Sequence, residues 1–331
     1  MKNGLSGFAV GGLRFCRRRH SLGIGLHSTN CRTEAPSPDP VTDFSISRRR
    51  FLGAFTAAGS LAISGDAILL EPNHPRLVRQ EIFLRRLPAG FDAMTIVQLS
   101  DFHYDPYFSR QPIEAAVRMS NELSPDLAVL TGDFVTMPVV GGIRAGNVAQ
   151  QAASCAQVLR GLQARNGIFA ALGNHDEFMD ARSVSGTLSE AGFQVLSNTA
   201  VALERDGQRL WLAGVRDVLR GKADLGLTLR GVPAEEPVVL LAHEPDFADT
   251  VVRYPVDLQL SGHSHGGQVC LPLVGPLYLP KMAEKYPSGL WQIGPLVLYT
   301  NVGIGTIRIP ARWNCPPEVT LITLRAGVRP S

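Results

Sequence analysis

The stretch Met94-Thr95-Ile96-Val97-Gln98-Leu99-Ser100-Asp101-Phe102-His103 is a strand-like apolar run that breaks into two metal-competent side chains. The pattern recurs along the chain. Apolar runs at 127–130, 168–172, 238–241 and 258–260 lead into Gly132-Asp133, Gly173-Asn174-His175-Asp176, His243-Glu244 and Gly262-His263-Ser264-His265. Short apolar runs bounded by turn residues read as buried strands. Open α/β sheets bind their ligands outside the carboxyl ends of such strands. A single histidine there is an ordinary hydrogen-bonding group, and a single Gly-Asp is an ordinary turn. The joint pattern reads differently, because the other histidines, His20, His27 and His74, all precede the region of the blocks. Two aspartates, an asparagine and several histidines at one sheet edge form a metal-ligand set.

Outward from these blocks the chain alternates between strand and helix. Residues 78–87 read as an opening strand, 112–123 as a helix with Pro112 at its start, and 138–146 as a Gly-containing loop. Helical spacing covers 148–162 and 178–191. Short strands follow at 194–196, 200–203 and 210–215, with Asp206-Gly207 as a hairpin turn. A helix is expected after Pro245, and strands at 269–271, 296–300 and 319–324. Early β-α alternation giving way to strands predicts an α/β fold of two sheets packed face to face with helices outside. This is a four-layer α/β/β/α sandwich over residues 75–328.

At 331 residues, 45% apolar and 18% charged, the chain can bury a substantial core. Its net charge of +3 is small, and much of the excess is local, in Arg14, Arg17, Arg18 and Arg19 and in Arg48, Arg49 and Arg50. A basic stripe interleaved with aromatics is missing, which argues against a nucleic-acid-binding surface. The cysteines Cys16, Cys31, Cys155, Cys270 and Cys315 show no CxxC spacing, and none falls in a ligand block. Cys270 and Cys315 could pair after export, although unpaired buried thiols are the favoured reading.

Ser47-Arg48-Arg49-Arg50-Phe51-Leu52, followed by a weakly apolar run at 53–65, resembles a twin-arginine export signal. The run is short and rich in small residues, which does not read as a membrane span. The segment 47–70 is therefore expected to be a signal or an anchor. It implies the twin-arginine machinery as a partner, and delivery of a folded protein to the periplasm or the outer face of the membrane. Residues 1–46, rich in Gly, Ser, Pro and Arg, are expected to be a disordered extension.

The ligand types divide into two sets. Asp101, His103 and His265 suit one divalent cation, and Asn174, His243 and His263 a second, with Asp133 bridging. Residues i and i+2 of an extended segment point the same way, so Asp101 and His103 are expected to grip one ion. A bridging carboxylate suits ions about 3.5–4 Å apart. Mixed nitrogen and oxygen donors favour Mn, Fe or Zn. Such a pair brings a bridging water toward ionisation at neutral pH. His175 is expected to donate to the phosphoryl or leaving-group oxygen, with Asp176 or another carboxylate orienting its ring. Gly132, Gly173, Gly262, Gly266 and Gly267 are expected to let backbone approach the metals and phosphate.

In order, the blocks read D-x-H, G-D, G-N-H-[DE], a lone H and G-H-x-H. Over Asp101 to His265 the chain thus resembles the calcineurin-like metallophosphoesterase superfamily. The resemblance implies the metallophosphoesterase sandwich, metal ligands at Asp101, His103, Asp133, Asn174, His243, His263 and His265, and a catalytic histidine at His175. Residues 262–268 and the tail 301–305 through 315–318 are similar to a narrower branch of exported or membrane-associated phosphodiesterases. Some of that branch are similar to UDP-2,3-diacylglucosamine pyrophosphatases of lipid A synthesis. Ser264 stands where Thr is common. The expected function is a binuclear phosphodiesterase or pyrophosphatase using a metal-bridging hydroxide, on a substrate that is free or lipid-linked, with a membrane surface as a further candidate partner. One alternative is a UDP-2,3-diacylglucosamine-type hydrolase, against which export argues if the substrate is cytoplasmic. Another is a catalytically silent metal-binding scaffold, against which the intact His175 and ligand set argue.

Overall fold

The computed structural model describes residues 47–137 and 148–328; the expected extension 1–46 and loop 138–146 lie outside the described residues. A helix, α1 (Arg48–Gly65), comes first. Strands β1 (Arg76–Leu84) and β2 (Thr95–Leu99) follow, then α2 (Arg110–Glu122), β3 (Leu127–Leu130), α3 (Val148–Leu159), β4 (Ile168–Ala170), α4 (Asn174–Glu190) and β5 (Gln194–Val195). The second half holds β6 (Thr199–Arg205), β7 (Gln208–Gly214), α5 (Leu225–Thr228), β8 (Val238–Leu241), α6 (Ala248–Val251) and β9 (Leu258–Ser261). A two-stranded hairpin of β10 (Cys270–Leu271) and β11 (Gly275–Pro276) precedes β12 (Gly289–Ile293), β13 (Leu296–Thr300) and β14 (Glu318–Ala326).

Two six-stranded sheets result, in the orders β1-β14-β2-β3-β4-β5 and β12-β13-β9-β8-β7-β6. Within them β2, β3, β4 and β5 run parallel, as do β7, β8, β9 and β13. The last strand closes the first sheet, entering parallel to β1 and antiparallel to β2.

Why the central strands read as unbroken apolar runs is clear from their faces. Val239 and Leu241 point between the sheets, toward Ile96, Val129 and Phe169. Their neighbours Val238 and Leu240 point outward, under Leu225, Phe247 and Val251. On the other sheet Val97, Leu99 and Leu130 face Ile113, Leu159 and Leu188 of the covering helices. Strands buried on both faces lose the polar alternation of a solvated sheet. Each aliphatic side chain so buried stabilises the fold by about 1.5–3 kcal/mol. The architecture is the expected α/β/β/α sandwich. One polar link crosses it near the ligand edge, where Gln98 Nε2 donates to Ser261 O (2.8 Å) and Thr131 Oγ1 (3.1 Å).

The strands at 127–130, 238–241 and 296–300 match their sequence-based boundaries. Asp206-Gly207 closes the β6–β7 hairpin, both residues at positive φ, as a two-residue turn with this twist demands. Other expected boundaries shift: the opening strand read at 78–87 runs Arg76–Leu84, and the helix read at 148–162 ends at Leu159. The helix read at 178–191 is preceded by a helical turn that begins at Asn174, where Asp176 reaches back to the Gly173 N–H (3.0 Å), and the two pieces of α4 are separated by a break at Asp180 (φ −176°, ψ 87°). Strand β12 was not anticipated; it folds back on β13 around Gly294.

Candidate metal centre

The parallel registers align the carboxyl ends of the central strands. Leu99 pairs with Leu130 and Leu130 with Ala170 in one sheet, while Leu241 pairs with Leu260 in the other. The five polar blocks therefore leave at one edge. The loops are stitched to each other there: Asp101 N–H donates to Gly132 O (2.9 Å), His103 N–H to Asp133 O (2.9 Å), and Gly262 N–H to His243 O (3.0 Å).

The geometry of the D-x-H and H-x-H pairs differs from the extended alternation expected. Asp101, His103, Asp133, His263 and His265 all have left-handed backbones, with φ of 53°, 39°, 57°, 68° and 51°. Strand β2 has already ended, and the chain turns at each candidate ligand while Phe102 between two of them stacks on Phe134 (5.1 Å) in the core. A left-handed residue with a side chain costs roughly 1–2 kcal/mol, less readily borne by branched residues than by Asp. The expected convergence occurs, by turns rather than by strand alternation.

Three overlapping groups of donor atoms result: Asp101, His103 and His265; His103, Asp133 and His175; and Asp133, His243 and His263. Within the first, His103 Nε2 lies 2.9 Å from His265 Nε2, and His265 Nε2 lies 3.3 Å from Asp101 Oδ1. Asp133 Oδ2 lies 3.4 Å from His103 Nε2 and 3.3 Å from His243 Nε2. Adjacent ligands on one cation with bonds of about 2.1 Å stand roughly 2.9–3.4 Å apart, so these spacings fit shared coordination. Asn174 Oδ1 is buried with no hydrogen-bond partner among the described residues, as an acceptor meant for a cation would be.

The other ring nitrogens define the tautomers. His243 Nδ1 donates to Thr131 O (2.6 Å), leaving Nε2 toward Asp133. His263 Nε2 donates to Lys281 O (2.9 Å), leaving Nδ1 as the free donor atom. His175 is the reverse case: the Met137 N–H donates to its Nδ1 (3.0 Å), so the proton of the neutral ring sits on Nε2. That arrangement suits a hydrogen-bond donor better than a ligand. Its ring is edge-on to His103, centroids 4.5 Å apart.

Asp176 does not have the role expected of it. Its carboxylate accepts from the N–H groups of Asp133 (2.9 Å), Phe134 (2.9 Å), Val135 (3.1 Å) and Gly173 (3.0 Å). It anchors the Asp133 loop to the start of α4, and the backbone of Met137 orients His175. Asp133 Oδ1 in turn accepts from the His175 N–H (2.9 Å), and Asp101 accepts from the His263 N–H (3.0 and 3.1 Å).

Burial sets the electrostatics. Desolvation lowers His103 to about 3 and His263 to about 4, keeping both rings in the neutral, ligating form. Asp101 is pushed up to about 6 and Asp176 to about 8, in each case first by desolvation. At Asp133 burial opposes charge, but the His243 and His175 rings outweigh it and hold the carboxyl well below its usual range. His243 is held well above the histidine range, burial being outweighed by the same Asp133. A proton or a cation at Nε2 answers the same negative charge.

Several contributors are backbone groups with no sequence signature: the Thr131 and Lys281 carbonyls and the Met137 N–H. The Ser264 hydroxyl accepts from the Gly266 N–H (3.0 Å) and shapes the ligand turn without touching the ligand atoms named above. Gly173 lies so close to Asp133 that any side chain would strike the carboxylate, so here a glycine serves ligand packing. Cys270 and Cys315 are free thiols, donating to Gly266 O (3.1 Å) and His265 O (3.3 Å).

Residues 94–267 match the calcineurin-like phosphoesterase family. The chain belongs to that family. This metallophosphoesterase is 37% identical over 289 residues to the uncharacterized metallophosphoesterase YkuE of Bacillus subtilis (strain 168), across 85% of this chain and 98% of that one. It is 34% identical over 289 residues to the phosphodiesterase YaeI of Escherichia coli (strain K12), across 84% of this chain and 99% of that one. Among solved structures it aligns with TT1561 of Thermus thermophilus at a TM-score of 0.43 and 13% identity, over 64% of this chain and 90% of that one. The chain is a metal-dependent phosphoester hydrolase.

Proposed function

We propose that the metallophosphoesterase is a binuclear phosphodiesterase or pyrophosphatase. The observation that carries this reading is Asp133 Oδ2, one carboxylate oxygen within 3.4 Å of His103 Nε2 and 3.3 Å of His243 Nε2, from different halves of the donor set. Asp101, His103 and His265 would hold one divalent cation; Asn174, His243 and His263 would hold another, with Asp133 shared. Two such cations, Mn, Fe or Zn by the donor types, supply a water-derived nucleophile at neutral pH and neutralise charge on the phosphoryl oxygens. His175, with its proton on Nε2, donates to the departing oxygen. The diester preference rests on likeness to the phosphodiesterase YaeI. Metal analysis of the purified chain, paired with turnover of bis-p-nitrophenyl phosphate against p-nitrophenyl phosphate, tests it. One ion per active chain, or faster cleavage of the monoester, overturns the corresponding half of the proposal.

Export by the twin-arginine route is part of the same proposal. Arg48 and Arg49 open helix α1, and among the described residues no helix is long and apolar enough to cross a membrane. Replacing both with Lys is expected to retain the protein in the cytoplasm while the purified enzyme stays active. Normal export of that variant would show the address to be misread.

A further inference from the structure

The loop that carries His263 and His265 continues into an apolar hairpin. Leu277 N–H donates to Val269 O (3.0 Å), and the hairpin's far end returns to the centre where Lys281 O accepts from His263. Gly267, at φ 83°, packs so closely on Pro276 that a side chain there would collide with it. The hairpin is thus built onto the ligand loop at both ends.

Its outer surface does not resemble a folded exterior. Leu273, Val274, Leu277 and Tyr278 are all exposed, Leu273 completely. Leu273 also has a left-handed backbone, φ 67°, at a tip where glycine or asparagine would be the unstrained choice. A strained, protruding leucine opposes both solubility and folding, the kind of feature that functional sites retain. Two exposed cations flank it: Lys281, and Arg308, whose guanidinium lies 4.8 Å over the Tyr278 ring. The Gln268 side chain holds the Arg308 loop through both its amide atoms, on Ile307 O (3.0 Å) and Ile307 N–H (2.5 Å). The cation is thus fixed over the hairpin by its stacking on Tyr278 and by the Gln268 clamp on its loop. Residues 268–283 and 301–317 contain no Asp or Glu of their own, and Glu71, the carboxylate brought to the second segment, is engaged by the Asn314 and Cys315 N–H groups.

We propose that this hairpin docks the enzyme on an anionic lipid surface, with Leu273 and Val274 inserted among the acyl chains and Lys281 and Arg308 on the headgroups. A wedge of branched side chains fits a fluid layer, whereas a protein partner would have to supply a matching pocket. Tyrosine beside a cation is the residue pair found at membrane–water boundaries. The docking does not depend on which phosphoester is cleaved, but it would set the catalytic rim against headgroup phosphates.

The test uses the full chain with vesicles of phosphatidylglycerol and phosphatidylcholine, compared with phosphatidylcholine alone. In a Leu273→Trp variant, the emission difference from wild type is expected to shift to the blue with vesicles and to be quenched by brominated lipid. Two cations near the surface predict about 10- to 30-fold tighter partition onto the anionic vesicles. The Leu273→Glu/Val274→Glu variant is expected to lose about tenfold or more of that partition, while hydrolysis of bis-p-nitrophenyl phosphate stays within about twofold of wild type. Three results overturn the proposal: a tryptophan at 273 that does not respond to vesicles, partition indifferent to the two glutamates, which would assign the contact to helix α1, or a glutamate variant whose only change is loss of self-association. An inactive wild-type enzyme would count against the hydrolase reading alone.

Discussion

The two halves of the centre are built to different standards. His243 and His263 each have their second ring nitrogen on a backbone carbonyl, at 2.6 and 2.9 Å. His103 and His265 face each other through Nε2 at 2.9 Å, yet their Nδ1 atoms are buried with no hydrogen-bond partner among the described residues. A carbonyl on the outer nitrogen fixes the tautomer and the ring plane before any ion arrives. The anchored half is thus shaped by the fold, and the other half by packing and by what it binds.

Asp133 Oδ2 lies within 3.4 Å of a histidine nitrogen from each half, so on the two-metal proposal its loss should be felt most. Asp133→Asn is expected to empty both halves, with turnover falling beyond the ~10²–10⁴-fold of one lost proton-transfer group. Metal analysis and turnover measured on the same sample check this; two ions and normal activity would end the shared-carboxylate reading. His175→Ala comes next, with both ions kept and turnover down ~10²–10⁴-fold. The loss should shrink for nitrophenolate leaving groups, which need little protonation. Metal depletion, or equal impairment for all leaving groups, would remove His175 from the donor role.

Chelation probes the comparison directly. An outer partner on a ligating histidine is worth about 10–100-fold in metal affinity. Graded chelator should therefore give a plateau at one ion per chain, with the Asp101, His103 and His265 half emptied first. Simultaneous release of both ions would erase the distinction. The smallest effect on chemistry is expected from Asp176→Asn, which exchanges a carboxylate accepting four N–H groups for an amide that can accept only part of them. A buried N–H left without its acceptor costs about 1–3 kcal/mol, so the stability to unfolding should fall by that order while His175 keeps its Met137 contact. Unchanged stability would show that Asp176 anchors nothing.

Much of this was legible because the strands are short, buried on both faces and followed at once by their polar blocks. The runs at 127–130 and 238–241 announce themselves, since no solvated face interrupts them. The start of α4 did not, because its first turn is spent on Asn174, His175 and Asp176 and helical apolar spacing begins only at Phe178. The unanticipated β12 mixes exposed Leu290 and Trp291 with polar neighbours, so no period marks it. Asp176 departs from its expected role for a physical reason: residue type reveals a carboxylate beside a histidine, but not that four backbone donors already occupy it. The Thr131 and Lys281 carbonyls carry no side-chain signal at all.

The left-handed backbones at Asp101, His103, Asp133, His263 and His265 bear on the order in which the molecule comes apart. The sheets beneath are held by dense apolar contacts, while these turns sit uphill and are held by one another and by the ions they collect. Such segments open locally without global unfolding. Amide protons of the ligand turns should therefore exchange with solvent long before those of β3 or β8, and added divalent cation should close that gap. That pattern would mark the centre as a cooperative unit that opens separately from the frame beneath it.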